Sequence, residues 1–128
     1  MTKDTIGLAE SCYLLGRALR SRGFRVNEVD SHSFKIENET THFTLTFMPG
    51  NKRVLISSNV KVYPEFQGKK YGTKYLLMRE EIAREAKCNL ILATVREDNS
   101  IEIHLLEKHG WKRFNKRETG VCLWGKEL

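Results

Sequence analysis

The residues of this 128-residue chain best suited to chemistry are Gln67, Gly68, Lys69, Lys70, Tyr71, Gly72 and Thr73. Two glycines let a backbone curl until successive N–H groups converge on one anion. Where such a turn opens a helix, the first-turn amides have no intrahelical acceptor and carry partial positive charge. Lys69 and Lys70 add full charges at the same end. Cations there oppose the helix dipole by about 0.3 kcal/mol or more, so the pair makes best sense with a polyanion opposite. Glycines at this spacing also fit a plain strand-to-helix connection with surface lysines, so the surroundings must decide.

Those surroundings are a strand, a turn and a helix. Arg53–Val62 alternates through Val54, Ile56, Ser58, Val60 and Val62, and Pro64 ends it. From Gly72 to about Lys87 the stripe Tyr75, Met78, Ile82, Ala86 has a helical period, with Glu80 and Arg84 expected to pair on the outer face. Leu90–Val95 is a continuous apolar run of strand length, as expected of a strand covered on both faces. Strand, helix and strand make a right-handed crossover between two parallel strands.

Upstream, Asp4 is placed to cap a helix running to about Arg22, with Leu8, Cys12, Leu15 and Leu19 on one face and Gly23 at its stop. Strands follow around Phe24–Val26, Phe34–Ile36 and Thr41–Phe47, close enough in sequence to pair as antiparallel hairpins, and Pro49-Gly50-Asn51 turns the last. Downstream, Asn99 reads as the N-cap of a helix ending at Gly110, with Glu102 completing a capping box. Strands near Trp111–Asn115 and Val121–Trp124 close the chain. The fold class is therefore α+β: a mixed, mostly antiparallel central sheet with flanking helices, in one domain over residues 1–128.

Composition narrows the function. Hydrophobic residues are 40% and charged residues 30%, ordinary for a chain that buries a core. No apolar run approaches the ~20 residues of a membrane span, and Met1-Thr2-Lys3-Asp4 opens with charge instead of an apolar leader. Cys12, Cys88 and Cys122 show no metal or redox spacing, and the four histidines form no ligand motif; a reducing, cytoplasmic setting without a metal is expected. The net charge of +6 favours anionic partners. It permits nucleic acid, but no nucleic-acid-binding signature accompanies it.

The segment Val60-Lys61-Val62-Tyr63-Pro64-Glu65-Phe66-Gln67-Gly68-Lys69-Lys70-Tyr71-Gly72-Thr73 resembles the acyl-CoA-binding signature of the GCN5-related N-acetyltransferase (GNAT) superfamily, whose pattern is Gln or Arg, two residues, Gly, one residue, Gly or Ala. Asn99 with Leu105-Leu106-Glu107-Lys108-His109-Gly110-Trp111 resembles the family's second motif. The resemblance implies a three-layer α/β arrangement in which the two parallel strands splay into a V. It also implies acetyl-CoA or another acyl-CoA as cosubstrate. Its pantetheine arm would pair with the backbone around Val60 and Val62, its pyrophosphate with the N–H groups of Gln67, Gly68, Lys69, Lys70, Tyr71, Gly72 and Thr73, and Asn99 would contact the arm. Two departures stand out: Lys70 replaces the first glycine, and Leu106 replaces the tyrosine that protonates the departing thiolate.

Acyl transfer to an amine needs a neutral amine, donors for the oxyanion and a proton for the thiolate. The strand before the loop offers Ser57, Ser58 and Asn59, none a competent base. Glu65, Glu97, Asp98, His104 and His109 read as solvated surface groups, Tyr63 and Tyr71 as packing residues, and Cys88 as an unactivated thiol. No catalytic side chain is therefore assigned. Three readings remain open: an N-acyltransferase, acetyl in the first instance, acting on a primary amine of a small molecule or protein; a GNAT-like domain that binds coenzyme A with little turnover; and a basic nucleic-acid or ribonucleoprotein binder. Arg17, Arg20 and Arg22 at one helix end point to an acidic acceptor.

Overall fold

A computed structural model of the protein describes residues 3–116 and 120–128. Its elements run α1 (Lys3–Arg20), β1 (Arg25–Glu28), β2 (Ser33–Glu37), β3 (Thr41–Met48), β4 (Asn51–Val62), a 3-10 turn (Pro64–Phe66), α2 (Tyr71–Glu85), β5 (Leu90–Arg96), α3 (Ser100–Lys108), β6 (Lys112–Lys116) and β7 (Val121–Glu127). The strands form one sheet in the order β1-β2-β3-β4-β5-β7-β6. Among the described residues only β4 and β5 pair in parallel; the other neighbours are antiparallel.

The parallel ladder stops early. It runs from Val54↔Leu90 to Ser57↔Ala93, although β4 continues to Val62 and β5 to Arg96. Beyond that rung each strand keeps only its outer partner: Thr41 and His42 of β3 face Val62 and Lys61, while Cys122 and Val121 of β7 face Val95 and Arg96. This is the expected V.

A β-bulge lies on one arm of it. Thr44 opposes Ser58 and His42 opposes Lys61, so the single residue Phe43 faces both Asn59 and Val60. Asn59 adopts φ 54°, the left-handed conformation that an asparagine tolerates better than most residues. The extra residue also changes which side chains point inward. Leu55 and Ser57 share the inner face with their partners Phe47 and Leu45, but past the bulge it is Val62, opposite Thr41, that returns to the core. The expected face of Val54, Ile56, Ser58, Val60 and Val62 is therefore split, because sequence alternation cannot anticipate an inserted residue.

One buried cluster joins the helices to this inner face. Leu15 and Leu19 of α1, Leu76, Ile82 and Ala83 of α2, and Leu106 of α3 meet Phe43, Leu45, Phe47, Leu55, Ile91 and Val95. Each large apolar side chain so buried contributes about 1.5–3 kcal/mol. Helix α1 is already under way at Lys3, which puts Asp4 inside its first turn instead of at its cap; the side chain of Asp4 lies outside the described residues. The helix stops at Arg20, before the expected Arg22, and Gly23 takes φ 84°. Arg22 turns back to donate to the Ala18 carbonyl (2.9 Å) and pairs with Glu81 and Glu85 of α2. No helix among the described residues is long and apolar enough to cross a membrane.

The expected surface pair Glu80–Arg84 is corrected. The two do approach, at 3.9 Å, but the Glu80 side chain is 4% exposed. Its carboxylate accepts from Trp111 Nε1 (3.1 Å) and pairs with Lys126 Nζ (2.8 Å), which also donates to the His109 carbonyl. Donors from the end of α3 and from β7 turned a position that helical period assigns to solvent into an internal tie.

Candidate active site

The loop that enters α2 is built in short steps. Val62 ends β4, Tyr63 is extended, Pro64–Phe66 makes one 3-10 turn, and Gln67 is extended again (φ −70°, ψ 150°). Gly68 then takes φ 77° and Lys70 φ 64°, so two left-handed residues curl the chain immediately before α2 begins at Tyr71. Lys70, which stands where the signature has its first glycine, takes the positive φ that a glycine would favour. A lysine in that conformation costs about 1–2 kcal/mol relative to glycine, and such strain concentrates where the backbone must present a particular shape.

That shape leaves donors free. Lys74 is the first residue of the turn whose N–H finds a helical acceptor, the Lys70 carbonyl at 3.2 Å. Among the described residues the N–H groups of Gly68, Lys69, Lys70, Tyr71, Gly72 and Thr73 have no protein acceptor. Gly68, Lys69 and Lys70 are exposed and the next three residues half-buried. A β-carbon on Gly72 would sit 3.6 Å from Leu105 Cδ2, an ordinary contact, and Gly72 has no positive φ. Nothing in the protein itself therefore requires glycine at this point; the space it leaves beside free amides suits a phosphate group.

The loop is held by packing. Phe66 meets Tyr71 edge-on at 5.7 Å, Tyr71 stacks on Tyr75 at 5.8 Å, and Lys74 Nζ lies over both tyrosine rings. Gln67 does not turn its side chain to the loop: Nε2 donates to the Val62 carbonyl at 2.9 Å, clasping the strand end to the turn. Tyr63 packs beside His42. Both tyrosines are thus packing residues, as expected.

Asn99 caps α3, its Oδ1 accepting from the Glu102 N–H at 3.2 Å. The reciprocal half of the expected capping box is absent: the Asn99 N–H bonds the Arg96 carbonyl, and the Glu102 carboxylate lies 4.0 Å from Arg79. α3 runs alongside the start of α2 through the Leu105–Gly72 approach. Val60 is 37% exposed on the bulged arm, and Val62 packs against the core. Structure thus brings the loop 67–73 and the unpaired ends of β4 and β5 together.

The remaining groups offer little acid–base chemistry. Leu106 is fully buried in the core. Glu65 and His104 are exposed, and Asp98 pairs with Arg96. Glu97 lies 3.7 Å from Arg113. Burial pushes the Cys88 thiol up to about 12, the opposite of an activated nucleophile. Two concavities, of about 560 Å³ between α3 and the β6–β7 pair and about 490 Å³ between α1 and the β3–β4 turn, lie away from the loop. Pattern reading missed Arg79 and the bulge at Asn59, and it weighed Ser57 only as a base, without its burial. An arginine in the inner stripe of a helix was the one signal available for the first.

Comparison with known proteins settles the family. A profile of the acetyltransferase (GNAT) family matches residues 36–111, more than half of the chain and the whole of the segment just described. The chain belongs to this family. Solved structures share its fold: the PaiA N-acetyltransferase of Thermoplasma acidophilum in complex with coenzyme A (17% identity, TM-score 0.60, covering 75% of this chain and 60% of that one), the IAA acetyltransferase of Bacillus cereus (16%, 0.62, 75% and 77%), and an acetyltransferase of Bacillus subtilis in complex with CoA (14%, 0.60, 75% and 76%). At these identities the likeness is one of fold. This GNAT chain spans only 60% of the length of the Thermoplasma protein. A search of curated protein sequences finds no match.

Proposed function

We propose that this protein is an acyl-CoA-dependent N-acyltransferase, transferring an acetyl group in the first instance to a primary amine by direct attack on the thioester. The observation that carries the proposal is the run of unpartnered N–H groups from Gly68 to Thr73, placed at the open ends of β4 and β5. A bound acyl-CoA would supply the activated carbonyl carbon. The loop amides, with Lys69 and Lys70, would hold its diphosphate, and the backbone of the Asn59–Val62 arm would pair with the pantetheine amides. The bulge interrupts the β3–β4 register where Asn59 and Val60 share one partner, and a backbone donor left over there would serve a carbonyl oxygen. An amine of pKa about 10.4 is neutral in roughly one molecule in a few thousand at pH 7, and β4 supplies no carboxylate near the bulge, so the acceptor must lose its proton to solvent or be a weaker base.

A second reading, coenzyme A binding with little turnover, is favoured by the burial of Leu106 where a hydroxyl would serve the thiolate. Thermal melting in acetyl-CoA tests the common part: at ~100 times the dissociation constant the fold should gain about 2.7 kcal/mol. Absence of any shift and of calorimetric heat at low salt would remove both readings. Release of free thiol with a panel of primary amines then separates them.

A further inference from the structure

Arg79 stands on the inner face of α2, in the stripe Gly72, Leu76, Arg79, Ala83, and only 2% of it is exposed. Its guanidinium lies 5.6 Å from the centre of the Phe43 ring, the β3 residue that faces the bulge. Its Nη2 lies 4.0 Å from Glu102 on the first turn of α3, the helix entered from the end of β5. The guanidinium therefore lies between β3, the outer neighbour of β4, and the first turn of α3, the helix that follows β5. Among the described residues Nε and Nη1 are buried with no hydrogen-bond partner. So is Ser57 Oγ, on the last rung before the strands part and on the same face as Leu45 and Phe43. Buried charged donors are seldom left unmatched, because desolvation is then uncompensated. Three unmatched polar atoms on the inner side of one opening mark a place where an anion from outside the chain belongs.

We propose that Arg79 stabilises the negative sulfur left when the thioester is cleaved. The inference rests on the acyltransferase reading. The amine lone pair forms the new C–N bond, the C–S bond breaks with its electrons on sulfur, and the surplus amine proton passes to solvent. Arg79 donates hydrogen bonds from Nε and Nη1 and loses no proton. The inward turn of α3 offers no group for this task, since Leu106 fills it. The charged groups facing Arg79 are Glu102 from α3 and Glu80 from its own helix, and Glu80 is itself tied to Lys126 of β7 and to Arg84. Phe43 from β3 is uncharged. Desolvation lowers the Arg79 pKa, and the Coulombic attraction of Glu102 and Glu80 opposes that shift.

The test is an ultraviolet titration of the thiolate of bound CoA, read as the difference against desulfo-CoA so that the protein's own cysteines cancel. In the wild type the bound thiol should titrate at least one unit below the value measured for free CoA in the same buffer. In Arg79→Met/Glu102→Ala, which removes both partners and leaves no lone carboxylate, it should return to the free value or above, with Arg79→Lys between. Acetyl-CoA affinity should stay within about threefold while kcat falls on the order of 10²-fold. A bound thiol titrating less than one unit below free CoA in the wild type overturns the proposal without any variant, as does a depressed value that survives in a folded double variant. Failure of the wild type to bind CoA at all removes the acyltransferase reading itself, an outcome distinct from binding without the shift.

Discussion

Gly72→Asp separates what the loop does for the fold from what it does for a ligand. The site has ordinary helical φ and room for a β-carbon, with Leu105 Cδ2 3.6 Å away. A carboxylate in the first turn of a helix stabilises it by about 0.3–1 kcal/mol, so the variant should melt at or slightly above the wild-type temperature. Toward a diphosphate the same carboxylate is repulsive. At ~5 Å and an effective dielectric near 20, one pair of like charges costs about 3 kcal/mol. The loop is half to fully exposed, and screening should reduce that to about 1.5–2 kcal/mol, roughly a 10- to 30-fold loss of affinity. Calorimetry with acetyl-CoA at two salt concentrations measures it, with Gly72→Ala as the steric control. The loss should shrink as salt rises. An Asp variant that binds within twofold of wild type would show that the free amides do not face the diphosphate, and the placement of the cofactor would fall.

Other expectations follow from the same geometry. Glu80→Ala leaves the buried Trp111 indole without its acceptor and Lys126 with only the His109 carbonyl, and should cost about 1–3 kcal/mol in urea unfolding; less than 1 kcal/mol would mean the tie is superficial. Lys70→Gly relieves the left-handed lysine and should raise stability by about 1 kcal/mol while weakening acetyl-CoA binding through the lost cation, two opposite shifts readable in one pair of melts. Cys88, with its thiol pushed up to about 12 by burial, should resist alkylation at pH 8 in the native protein. The unfolded chain releases that proton near pH 9 and the folded one does not, so stability should hold below about pH 9 and decline from there toward 12. Cys88→Ser should flatten that decline, and an unchanged slope would assign it to other groups.

The crossover and its loop were legible because their signals are local. Glycines, lysines and a helical stripe lie within a few turns of one another, and the order of strands and helices follows from the spacing of apolar runs. Family membership rests on the same contiguous stretch. What the chain alone left open depends on residues meeting across elements. Whether Lys70 bends to positive φ is decided by the loop it must close. Glu80 reads as a surface residue until Trp111 and Lys126 arrive from the far end of the chain. The bulge at Asn59 exists only in register with β3, and it alone selects which β4 side chains turn inward. Arg79 becomes a candidate because Phe43 and Glu102, distant in sequence, close over it. Short-range backbone preference determined the elements of this protein; long-range desolvation, which no local pattern records, decided which of its polar groups ended up buried at the opening between β4 and β5.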